Sequence, residues 1–148
     1  MRRIARRLVA VVAMATVAAG LLPAIAQARK PNYAWHMFVE TNESRARYHV
    51  GRLDQARRLS DEAERHAQAM ARKGDLFHTS GPTRYGVRCM VWGENVGWST
   101  GDTADLQRMF MHSPEHRSHV LDRRFRRVAV GAATDDRGRL YVSLFFCT

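Results

Sequence analysis

An α+β fold, with helices packed on an antiparallel sheet, is what this sequence of 148 residues predicts. Three observations carry the prediction. Leu53, Ala56, Leu59, Ala63, Ala67 and Met70 recur at helical intervals and draw one apolar stripe. Near the end of the chain the period changes. Val128, Val130 and Ala132 alternate with other residues, and 140–146 is rich in β-branched and aromatic side chains. Asp135-Asp136-Arg137-Gly138 between these segments reads as a turn, so the pair forms a hairpin. Helices precede strands, with one strand between them.

Taken in order, 29–35 reads as a lead-in. A first helix covers 38–48, where Phe38, Val39, Asn42, Arg45 and Ala46 share a spacing of three and four. Gly51 turns the chain. The striped helix follows, with Asp54 suited to its N-cap and Gly74, after Arg72-Lys73, to its stop. From 76 to 98 the helical period is lost. Gly81-Pro82 and Gly86 punctuate a loop, and a strand over 87–92 ends at Gly93. Thr103 suits the cap of a third helix, with Leu106, Met109 and Phe110 as its apolar face. Ser113-Pro114-Glu115 starts a fourth. Serine can cap free N–H groups, proline fits the first turn, and glutamate suits the positive helix end.

The first thirty residues have a different character. Arg2, Arg3, Arg6 and Arg7 carry no acidic partner, and 8–22 is apolar or small throughout. Ala24-Ile25-Ala26 and Ala26-Gln27-Ala28 follow as small-x-small sites. This is the layout of a secretory signal peptide over 1–28, with the domain at 29–148. The apolar run is short of the roughly 20 residues of a membrane span; an uncleaved anchor is the alternative. Without 1–28 the formal charge falls from +10 to +6, because four Arg and no acid are lost. A chain that basic favours anionic surfaces such as lipid headgroups or acidic wall polymers, or is simply kept soluble by its charge. The 120 residues that remain bury enough surface to fold without metal. Cys89 and Cys147 are the only cysteines. In an exported chain they predict one disulfide, the alternative being two buried thiols.

Several residues could carry chemistry. His78 follows the striped helix; His112, His116 and His119 cluster around the fourth. Glu94 lies between glycines in Gly93-Glu94-Asn95-Val96-Gly97, after the expected strand. Glycine there permits close approach of another group without saying which. Pro114 interrupts the His112–His116 gap, so only His116 and His119 share a local turn. Ser113 suits a cap better than a nucleophile: no Gly-x-Ser-x-Gly is present. There is no phosphate loop and no CxxC. Arg123-Arg124 and Arg126-Arg127 flank Phe125 as a solvated basic run, and nucleic acid is not an expected partner.

Read together, these segments resemble a known family. They are Asn42-Glu43-Ser44-Arg45, the stripe with His66-Ala67, His78, Gly93-Glu94-Asn95-Val96, 110–117 with His112-Ser113-Pro114-Glu115-His116, Val120-Leu121-Asp122 and Val130-Gly131. Their order and spacing over about 38–146 resemble the CAP superfamily of cysteine-rich secretory, antigen 5 and pathogenesis-related proteins, in its compact bacterial branch. The resemblance implies a three-layer α-β-α sandwich with a small, mainly antiparallel central sheet. It also implies a cleft of two His and two Glu. Here His78 matches the first His, Glu94 the Glu of Gly-Glu-Asn, and His116 the second His. The position of the second Glu is taken by Ser113, with Glu115 nearby.

That set has more than one chemical reading. Two imidazoles, His78 and His116, can bind a divalent metal such as Zn²⁺ and leave positions for water. Glu94 can orient one imidazole, or act as general base on a bound water. A polar pocket that only locks strand to helix is the alternative. The expectation is a secreted, monomeric binding module that takes a small amphiphile, a lipid, a sterol-like molecule or a cell-envelope component in the cleft of His78, Glu94, His116 and Ser113. The other reading is a metal-assisted extracellular hydrolase with Glu94 as its catalytic residue. Trp92 and Trp98 flank the Glu94 motif and either line the cleft or belong to the core.

Overall fold

Asn32 opens the first helix: its side-chain carbonyl accepts a hydrogen bond from the Trp35 N–H, satisfying one free amide of the helix start. The computed structural model describes residues 32–81 and 88–148. The expected signal segment, Pro82, Gly86 and the start of the expected strand at 87 lie outside the described residues. Residues 31–148 form one compact unit.

Helix α1 spans Tyr33–Arg47, so the last three residues of the expected lead-in are already helical. A two-residue strand, β1 (Asp54–Gln55), precedes α2 (Arg57–Lys73). Strand β2 is Trp92–Ser99, α3 Thr103–His112, α4 Pro114–Leu121, β3 Arg127–Thr134 and β4 Leu140–Cys147. The sheet order is β1-β3-β4-β2. β3 and β4 form the expected antiparallel hairpin, and β2 pairs antiparallel with β4 along its whole length. β1 runs parallel to β3, which makes the sheet mixed.

Alternation along the strands divides the core in two. Ala129, Phe145, Ser143, Tyr141 and Glu94 face α2, whose stripe of Leu59, Ala63, Ala67 and Met70 is buried. Val128, Val142, Leu144 and Phe146 face α1, α3 and α4, where Met37, Phe38, Leu106, Phe110 and Val120 fill the other side. This is the expected α-β-α sandwich. Gly131 makes the α2 side possible: a Cβ there would overlap the main chain at Ala63. The disulfide Cys89–Cys147 is present, with Cα atoms 5.4 Å apart.

Four sequence expectations shift. Asp54 does not cap α2; it pairs across from Arg127 as sheet, and the helix starts three residues later with Ala56 at its N-cap. The strand expected to end at Gly93 begins at Trp92 instead, so Glu94 lies inside a strand rather than after one. Asp102, not Thr103, caps α3, accepting from the Asp105 N–H. The Thr103 hydroxyl donates to Glu40 on α1 (2.8 Å). Ser113 stands at the N-cap of α4, but its hydroxyl makes no cap bond and meets His116 instead.

Candidate functional site

β2 is an edge strand of the sheet, and its alternating side chains serve two different neighbours. Glu94 points toward α2 and Asn95 toward α4. The glycines around them leave room for rings: a Cβ at Gly93 would lie 2.8 Å from the His119 ring, and one at Gly97 2.9 Å from Phe110. This is the close approach that the sequence leaves unspecified. Asn95 is fully buried; its amide accepts from His119 Nδ1 (2.8 Å) and donates to the His116 carbonyl (3.0 Å), pinning α4 to the strand.

Glu94 is 4% exposed, and its carboxylate takes three hydrogen bonds and lies beside a further imidazole. His78 Nδ1 and the Thr79 N–H both approach Oε2 at 2.9 Å. The Ser143 hydroxyl donates to Oε1 at 3.2 Å, and His66 Nε2 lies 3.3 Å from the same oxygen. His66 Nε2 also faces the Phe77 carbonyl at 2.8 Å, so with two acceptors in reach it carries the hydrogen. Three hydrogen bonds hold the carboxylate, and the His66 N–H, bonded to the Phe77 carbonyl, faces it from α2. His78 Nδ1 donates to Glu94, which leaves His78 Nε2 as the basic nitrogen, on a side chain 61% exposed.

His116 belongs to a different surface. Its Nδ1 lies 3.0 Å from the Ser113 hydroxyl, and its ring packs 4.9 Å from that of Phe110. Burial holds its pKa below the usual 6.5; Glu115 opposes this, and the charges of His119 and His78 add to it. His116 and Ser113 form the polar corner of a cleft of about 550 Å³ beside β2. Leu76, Val96, Trp98, Leu106, Met109 and Phe110 supply its apolar wall. Trp98 therefore lines the cleft, whereas Trp92 packs against Phe145. Glu94 and His78 are not among the residues that line this cleft.

The donor set constrains what the site can hold. Among the described residues, no group of three or more His, Cys, Asp or Glu side chains could hold a metal ion. His78 and His116 are within electrostatic reach of one another, and Glu94 already accepts hydrogen bonds from His78, Thr79 and Ser143.

Three residues that complete the neighbourhood are hard to recognise as such from sequence. His66 sits on the stripe between Ala63 and Met70, and a polar residue at a core position was the available signal. Asn42 on α1 accepts from the Leu53 N–H (2.7 Å) and donates to the Leu53 carbonyl (3.2 Å). Arg45 is fully buried. Its guanidinium donates to the carbonyls of Gly51 (2.6 Å), Val120 (2.8 Å), Asp122 (3.0 Å) and Phe125 (3.4 Å), which anchors the end of α4.

A three-layer sandwich with a histidine-cornered cleft along an edge strand defines the class of the protein. The chain belongs to the CAP family, described as the cysteine-rich secretory protein family, whose pattern matches residues 38–148. Solved structures share the fold. An extracellular protein containing an SCP domain from Bacillus anthracis is 24% identical with a TM-score of 0.63, covering 78% of this chain and 40% of that one. A cysteine-rich secretory protein from Staphylococcus aureus is 23% identical with a TM-score of 0.63, covering 80% and 39%. An outer surface protein from Borrelia burgdorferi is 13% identical with a TM-score of 0.68, covering 77% and 90%. The chain thus spans about two fifths of the length of the first two. No curated protein matches the sequence. Among the described residues no helix is long and apolar enough to cross a membrane.

Proposed function

We propose that this protein is an extracellular binding module whose cleft beside β2 takes the apolar part of a small amphiphile, such as a lipid, a sterol-like molecule or an envelope component. The observation that carries the reading is the cleft itself: about 550 Å³, walled by Leu76, Val96, Trp98, Leu106, Met109 and Phe110, with His116 and Ser113 as convergent polar groups. That size and balance suit a ligand site. A largely neutral His116 offers a hydrogen-bonding nitrogen without the cost of burying a charge beside an alkyl chain. An extracellular place is supported by the signal-like start of the sequence and by the extracellular and outer-surface descriptions of the similar structures.

The hydrolase reading has less support, because the carboxylate on β2 already accepts three hydrogen bonds. The test is saturable binding of a fluorescent fatty acid to residues 31–148. Binding in the micromolar range that is lost in Met109→Arg, a substitution at a half-exposed wall position, supports the proposal. Equal binding by Met109→Arg, or no saturation, removes it. Peptidase activity lost on Glu94→Gln with an unchanged fold would favour the hydrolase.

A further inference from the structure

Strands β2 and β3 start, and β4 stops, at the same end of the sheet. Trp92, Cys147 and Arg127 stand in one row there, since Trp92 and Arg127 both pair with Cys147. The disulfide carries this row on to Cys89, beside Arg88 and Met90. Met90 is 95% exposed, more than any other large apolar side chain among the described residues, and Trp92 is 42% exposed. The backbone beneath Met90 is nonetheless fixed: the N–H groups of Met90 and Val91 donate to the Thr148 hydroxyl at 3.2 and 3.3 Å. Met90 is held out toward solvent by an ordered, cross-linked base.

The same end gathers cations. Arg88, Arg123, Arg124, Arg126 and Arg127 are all exposed. Arg127 is held by the Thr148 main-chain oxygen (2.6 Å), and Arg126 by the Arg123 carbonyl (2.6 Å). The nearby acids are fewer: Asp122 pairs with Arg124, and Asp54 lies across from Arg127. Burial, and after it the charges of Arg126 and Arg123, disfavour the charge on Arg45, while Asp122 opposes them.

From this juxtaposition we infer that the β2–β3 end of the sheet docks on an anionic lipid bilayer, with Met90 and the edge of Trp92 entering the headgroup layer and the arginines facing lipid phosphates. An exposed thioether and an indole edge suit the interface between water and hydrocarbon, and each nearby Arg adds electrostatic attraction to an anionic leaflet. A nucleic acid fits less well. Base stacking needs an open aromatic face, and Trp92 is covered by Phe145 on one side and pressed by Gly81, where a Cβ would lie 2.9 Å from the indole. The surface is separate from the cleft, so Met109→Arg, which empties the cleft, leaves docking intact.

The test is co-sedimentation of residues 31–148 with vesicles of phosphatidylcholine alone or mixed with phosphatidylglycerol. Binding is expected only to the mixed vesicles, weakening as salt is raised, with a blue shift of tryptophan emission. Met90→Asp weakens it about tenfold without changing the melting temperature, since the side chain is solvated in the free protein. Arg123→Gln and Arg126→Gln each weaken it about fivefold. Arg72→Gln and Arg137→Gln, at the opposite end of the sheet, leave it unchanged. Binding insensitive to Met90→Asp, equal losses from the two sets of arginines, no binding to anionic vesicles, or tighter binding to duplex DNA than to vesicles would each overturn the inference.

Discussion

His66 Nε2 stands 3.3 Å from Oε1 of Glu94 and 2.8 Å from the Phe77 carbonyl, so one buried imidazole ties α2 both to β2 and to the segment that carries His78. The carboxylate is the hub of this arrangement. Glu94→Ala leaves the Thr79 amide and the Ser143 hydroxyl without their acceptor and the His66 N–H with the Phe77 carbonyl alone. Each unsatisfied donor costs roughly 1–3 kcal/mol, and the expected total is about 3 kcal/mol, because neighbours relax in part. His78→Ala removes a partner that is 61% exposed and should cost under about 1 kcal/mol. Urea unfolding of both variants checks the contrast. Equal losses would show that the exposed imidazole, rather than the buried lock, carries the stability.

The pH dependence of His116 has a definite sign. Its folded-state value lies below the ordinary 6.5 because burial penalises the imidazolium. Between those two values the unfolded chain binds the proton more readily than the folded one. Stability is therefore fully present above 6.5 and falls as pH drops from 6.5 toward the depressed folded value. His116→Gln keeps a polar group near Ser113 and abolishes that part of the slope. Melting curves across this window, with the imidazole shift followed by NMR, provide the measurement. A variant with the same slope as wild type would assign the effect to another group.

Glu40 behaves in the opposite sense. Burial raises its value above 4.5; the Thr103 hydroxyl bond and His36 oppose this, and Asp102 and Glu43 add to it. Oε2 is buried with no hydrogen-bond partner among the described residues. The folded state holds the proton to higher pH than the unfolded chain. Stability is therefore highest below 4.5 and falls as pH rises through the raised folded value. Glu40→Gln retains an oxygen for Thr103 and removes the charge. It is expected to be more stable than wild type at neutral pH and equal to it in acid, as denaturant midpoints at two pH values will show.

Much of this was legible in the sequence, and the misreadings have physical causes. The α2 stripe and the final hairpin were readable because their periods are unambiguous and their side chains strongly apolar. β2 was not, because Gly-Glu-Asn-Val-Gly has low strand propensity. It is a strand because its glycines admit the rings of His119 and Phe110 and its Glu and Asn find buried partners on opposite faces. β1 is two residues long and is held by pairing with β3, a long-range cause that no local pattern reports. Leu53 and Ala56 kept the helical spacing by coincidence and are buried from outside the helix. His78, Glu94 and His116 were legible as positions, but which of them share hydrogen bonds depends on long-range packing that no local pattern reports.

Arg45 is a buried cation with carbonyl partners drawn from three stretches of chain. A lysine ammonium cannot reach that many separated acceptors from one position, whereas the planar guanidinium can. Arg45→Lys should lose about 3 kcal/mol through the carbonyls left unpaired at the end of α4. Calorimetry and proteolysis after Val120 would report it, and a cost near zero would mean that water replaces the guanidinium.

Gly131 faces the α2 backbone so closely that a single methyl group would collide with the Ala63 carbonyl. Neither partner can yield cheaply. β3 is fixed by its full register with β4, and Ala63 lies in the middle of a helix whose buried face packs on Ala129 and Phe145. Overpacking of side chains costs about 1–3 kcal/mol, and here the clash is with main chain, so the upper end or beyond is expected for Gly131→Ala. The helix would have to move off the sheet, opening the layer that holds His66 against Glu94. The measurement is a urea titration of Gly131→Ala beside Gly51→Ala, whose added methyl meets nothing within 4 Å. Losses of equal size at the two positions would mean that α2 and β3 are not in the contact described.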